Sequence, residues 1–82
     1  MKFEFYDNLC LEQEERDEIA KRVSDNGFNV EVYEYYSEED GEYLFNKIYI
    51  EINTSEELVK LNKVIGKPLV IDGNDLYFTD GI

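Results

Sequence analysis

The chain has 82 residues, with 20 Asp and Glu against 8 Lys and Arg, a net charge of −12, one Cys, one Pro, and neither His nor Trp. That length suits one small domain spanning residues 1–82, and 43% hydrophobic residues are too many for a chain held unfolded by its own charge. Without His, the chain alone cannot build Ser–His or Cys–His nucleophilic pairs or His-based zinc sites, and one Cys excludes an internal disulfide.

The first element is a strand from Lys2 to Tyr6, where Phe3 and Phe5 alternate with Lys2, Glu4 and Tyr6. Asp7-Asn8 offers a turn, and Cys10 reads as a small apolar residue near a helix start. From Glu12 to Asn26 the residues are helix formers without Pro or Gly, and Ile19, Ala20 and Val23 make one apolar stripe. Acids crowd the first turns and Lys21 and Arg22 the end, which suits the helix dipole, and Asn26-Gly27 is a stop signal. Phe28 to Tyr36 alternates again, with Phe28, Val30 and Val32 on one face and Asn29, Glu31, Tyr33 and Tyr35 on the other.

Ser37 to Gly41 is a polar connection, and Glu42 to Asn53 resumes as a long strand, so the pair predicts a hairpin. In its second arm Ile48, Ile50 and Ile52 oppose Tyr43, Phe45, Lys47, Tyr49 and Glu51. Thr54-Ser55-Glu56-Glu57 fits a capping box, opening a helix with Leu58, Leu61, Val64 and Ile65 at helical spacing that stops at Gly66. Pro68 precedes a strand Leu69-Val70-Ile71, Asp72 to Asp75 turns the chain, and Leu76-Tyr77-Phe78 returns.

This order predicts an α+β protein. A single antiparallel or mixed sheet carries both helices on one face, in the ferredoxin-like β-α-β-β-α-β pattern with an extra C-terminal strand. The covered face should receive Phe3, Phe5, Phe28, Val30, Val32, Ile48, Ile50 and Ile52. The open face should show Tyr33, Tyr35, Tyr43, Phe45 and Tyr49 among Glu31, Glu51 and Lys47, which suits a binding surface, a homodimer interface, or tyrosines filling a half-exposed sheet.

No stretch approaches the ~20 apolar residues of a membrane span, and the first residues lack the apolar run of a signal peptide, so a cytoplasmic location is expected. The carboxylates fall on a helix face and a hairpin tip rather than as a pair across a cleft, and Asp72-Gly73-Asn74-Asp75 lacks the alternating ligands and terminal Glu of a calcium loop. The reading is a non-enzyme with no cofactor and no metal.

An aromatic sheet face also suits base stacking, but RNA-binding domains of that kind set basic residues beside their aromatics. Here no Lys or Arg occurs from Val23 through Asn46. Residues 1–41 hold 13 acids and 4 bases, a net −9, and residues 42–82 hold 7 acids and 4 bases, a net −3. Such a surface repels phosphates and attracts a basic nucleic-acid-binding protein. Glu31, Glu34, Glu38, Glu39, Asp40 and Glu42, with Tyr33, Tyr35 and Tyr43 as anchors, form the nominated partner-binding set, and the first helix adds its acids.

The last third of the chain, Ser55-Glu56-Glu57-Leu58-Val59-Lys60-Leu61 through Val64-Ile65-Gly66-Lys67-Pro68-Leu69-Val70-Ile71 and Leu76-Tyr77-Phe78-Thr79-Asp80, resembles a tail of small acidic proteins of phages and mobile elements. Among these are anti-CRISPR and anti-restriction inhibitors, several of which mimic DNA. The resemblance implies an inhibitor of a CRISPR effector or restriction nuclease in the host cytoplasm. Two other readings are an interaction module that homodimerises through the tyrosine face, and an immunity or antitoxin protein neutralising a basic nuclease toxin.

Overall fold

The computed structural model describes residues 1–37 and 43–79, with side chains at all of these except 35–37 and 43–45. The elements run β1 (Lys2–Phe5), α1 (Gln13–Asp25), β2 (Val30–Ser37), β3 (Tyr43–Glu51), α2 (Ser55–Ile65), β4 (Leu69–Asp72) and β5 (Asp75–Phe78). They form an α+β fold with one mixed five-stranded sheet in the order β2-β3-β1-β5-β4.

Each boundary has a local cause. Asn26 caps α1 and Gly27 follows at φ 91°, a left-handed conformation that costs glycine little. At the start of α2 the Thr54 hydroxyl accepts a hydrogen bond from the Glu57 backbone N–H at 3.2 Å, and Gly66 closes the helix at φ 83°. The Glu57 carboxylate meets the Thr54 hydroxyl at 3.4 Å rather than the Thr54 backbone N–H, so only half of the expected box forms. Before α1, the Asp7 carboxylate accepts from the Leu9 and Leu11 backbone N–H groups at 3.1 and 2.7 Å, securing a loop in which Cys10 is exposed at φ 54°.

The buried sheet residues share one parity: Phe3 and Phe5 on β1, Ile48 and Ile50 on β3 with Ile52 just beyond it, Leu69 on β4, and Leu76 and Phe78 on β5. Ala20 and Val23 of α1 and Leu61 and Ile65 of α2 join them in one core, so both helices lie on the same face. The Phe5 and Phe78 rings meet edge to face at 5.2 Å in its centre.

Two expectations are corrected. The ferredoxin-like order would set β4 beside β1, whereas β5 lies there, parallel to β1, and β4 takes the edge. A two-residue turn at Gly73-Asn74 ties β4 to β5, so the hairpin can offer β1 only one of its arms. β5 buries Leu76 and Phe78 almost completely, whereas β4 follows Pro68, which has no N–H to give a neighbour, and leaves Val70 38% exposed. The second correction is Val32. Its face is the helix-bearing one, but β2 is the opposite edge strand and α1 leaves Val32 47% exposed.

The parallel β1–β5 ladder continues past the end of β1. The backbone N–H groups of Glu4 and Tyr6 donate to the carbonyls of Asn74 and Leu76 at 2.8 and 2.9 Å. Two residues on, the Asn8 side chain takes the place of backbone: its Nδ2 donates to the Phe78 carbonyl and its Oδ1 accepts from the Phe78 N–H, both at 2.9 Å.

Candidate functional site

Strand alternation divides the nominated residues between two surfaces. Glu31 and Tyr33 stand on the open face, while Glu34, one residue on, belongs to the helix-bearing side. Tyr35 and Tyr43 lie within β2 and β3, but their side chains fall outside the described residues, as do Glu38, Glu39, Asp40 and Glu42 altogether. The structure therefore separates Glu34 from Glu31 and Tyr33 rather than bringing them together.

On the open face, Glu31 is neutralised from within the molecule. Lys2 reaches across β3 to place Nζ 2.6 Å from Glu31 Oε1, and the Tyr33 hydroxyl donates to Oε2 at 2.7 Å. These bonds, the one from Lys2 first, hold the Glu31 carboxyl below its ordinary value, while the bond to Glu31 raises both the Lys2 ammonium and the Tyr33 phenol. Tyr33 packs edge-on against Tyr49 at 5.6 Å, and Lys47 lies 3.9 Å from Glu4. A second aromatic pair, Tyr6 with Tyr77 at 4.9 Å, extends this face toward β4. The depression among Lys2, Glu4, Glu31, Tyr33, Tyr49 and Asp75 has a volume near 710 Å³ and mixed charge.

The helix-bearing side differs. Glu12 at the N-cap of α1 and Glu14, Glu15, Asp17 and Glu18 in its first half all lie exposed. Arg16, the one cation within that stretch, turns inward, and its Nη2 donates to the Asn46 carbonyl on β3. The Asn46 side chain donates in turn to Asp17 at 3.1 Å, so one β3 residue fixes both the height and the rotation of α1. Asn46 pairs across the ladder with Glu34, which brings that acid to the same side as Asp17. Arg22 closes the ridge by pairing with Glu18 at 2.7 Å.

At about 1.5 Å per residue, the run from Glu12 to Glu18 spans roughly 9 Å, or about one carboxylate per 2 Å of helix axis. The sequence adds the first helix to the acidic surface only as a group, because dipole matching accounts for its acids equally well. What marks them as a surface is the inward turn of Arg16, which no periodicity encodes.

Among the described residues, no group of three or more Cys, Asp and Glu could hold a metal ion, and no helix is long and apolar enough to cross a membrane. No protein family matches the chain, and no curated protein or solved structure matches it either.

Proposed function

We propose that this protein is a non-catalytic inhibitor that occupies the basic nucleic-acid-binding groove of a defence nuclease, its carboxylates standing in for phosphates. The observation that carries this reading is the exposed acidic ridge of α1 with Arg16 withdrawn from it. Duplex DNA carries one charge per about 1.7 Å of axis, so a ridge with about one per 2 Å presents a groove with a similar linear charge. Glu34 and the acids from Glu38 to Glu42 supply further negative charge without a cation between them. The choice of a CRISPR effector or restriction nuclease as the target class rests on the sequence resemblance of the last third alone, since no family, curated protein or solved structure matches the chain.

Inhibition of nucleic-acid cleavage by a panel of such nucleases, measured at increasing salt, provides the test. Inhibition should compete with the nucleic acid and weaken steeply as salt rises. Two charge-reversal sets locate the surface: Glu12→Lys, Glu14→Lys and Glu15→Lys on the helix, and Glu38→Lys, Glu39→Lys and Asp40→Lys on the connection. The mimicry reading is lost if inhibition survives both sets.

A further inference from the structure

We infer that the outer edge of β2 docks an extended, cation-bearing segment of the partner protein as an added strand. The inference rests on the reading of the partner as a basic protein and says how that partner is held.

The two edges of the sheet differ in kind. β4 is four residues long and follows Lys67-Pro68, both of which discourage strand pairing. β2 is eight residues long, contains neither Pro nor Lys, and pairs on one side only among the described residues. The direction of its outer groups follows from the ladder. The Asn29 carbonyl accepts from the Glu51 N–H at 3.0 Å, so Asn29 faces β3, and in an antiparallel ladder Glu31, Tyr33 and Tyr35 do the same. The N–H and C=O groups of Val30, Val32, Glu34 and Tyr36 then point away from the sheet.

The flanks of this edge state what fits it. On the helix side, Val30 and Val32 line a groove of about 300 Å³ with Asp17, Ala20, Lys21 and Ser24. Val32, 47% exposed there, offers an apolar seat for alternate side chains of an added strand. Glu31 on the open face is already paired with Lys2, so the charge that meets an added strand comes from the helix side, where Glu34 and Asp17 lie exposed against Lys21 and where no cation occurs in the chain from Val23 through Asn46. A cationic strand is therefore favoured, while a second copy would set two chains of net charge −12 against each other.

Amide hydrogen exchange of the whole chain, with the peptides (Lys-Val)4 and (Glu-Val)4 as probes, tests this. With (Lys-Val)4 the amides of Val32 and Glu34 should gain at least tenfold protection, while that of Tyr33, already in the ladder, changes little; (Glu-Val)4 should protect neither. Glu34→Pro removes an outward N–H without touching the β2–β3 ladder and should weaken (Lys-Val)4 binding about tenfold. If (Lys-Val)4 protects or shifts only α1 residues around Glu14, the edge inference is overturned and the acidic reading stands; if it binds nowhere, both fall. Protection of Val32 and Glu34 that grows with protein concentration and needs no peptide assigns the edge to a second copy and overturns the inference.

Discussion

Glu31 is shared between two donors, Lys2 and Tyr33, and that sharing gives the protein a defined response to pH. A carboxyl held below its ordinary 4.5 stabilises the fold above that value, and the contribution fades as pH falls through the lowered one. Lys2 and Tyr33 are raised above 10.5 and 10.0, so their contributions are complete below those values and fade as pH rises through the raised ones. The trio therefore works across the neutral range and fails at both ends. In Glu31→Ala, the Tyr33 phenol should titrate closer to 10.0, followed by its ring carbon signal in NMR. An unchanged midpoint would show that the hydrogen bond does not form in solution. Sequence alternation placed Glu31 and Tyr33 on one face, but it could not show that Lys2, 29 residues away, reaches Glu31 and cancels its charge. That reach depends on β1 lying one strand away from β2, which is a property of the sheet order.

Among the elements, those with chemical punctuation were the legible ones. Thr54 and Gly66 frame α2, and Gly27 follows the end of α1, within a residue or two of where their side-chain and φ preferences set them. Thr54→Ala, which leaves the Glu57 N–H without its acceptor, should cost about 1 kcal/mol in urea unfolding. Asn8 was legible only as a turn residue, whereas it lengthens the β1–β5 ladder by imitating a strand residue. Asn8→Ala should cost roughly 1–3 kcal/mol, since it strips both backbone groups of Phe78 of their partner in a partly buried place. A loss no larger than that of an exposed Asn would mean that water replaces the side chain freely. The exchange of β4 and β5 was not legible, because both arms of a hairpin carry the same alternation and only competition for β1 decides between them. Val32 escaped for a related reason: period two assigns a residue to a face but not to the part of that face a helix covers.

For the whole molecule, the fold class and the single helix-bearing face followed from the order and parity of the elements, whereas the partition of charge between the two sheet surfaces required the fold. On the open face Lys2 and Lys47 offset Glu31 and Glu4, which leaves Glu51 and Asp75 there, while the densest run of acids lies on α1. A net charge of −12 on a domain this small repels itself, so adding salt from about 10 mM to 150 mM, which shortens screening from about 30 to 8 Å, should raise Tm by a few degrees. A falling Tm would mean that the ion pairs outweigh that repulsion. Leu61, fully buried between α2 and the sheet, gauges the core, and Leu61→Ala should cost about 2–5 kcal/mol in the same unfolding experiment. The position of β1 also sets a schedule for folding. It comes first in sequence among the described strands, yet its two neighbours are β3 and β5, the latter the last of those strands in sequence. The β2–β3 hairpin is local and can form first, and β1 can join it early, but one flank of β1 stays open until β5 pairs with it. The sheet closes by a contact between strands far apart in sequence, so the β1–β5 pairing carries the largest loop-closure cost in the fold and is expected to form late.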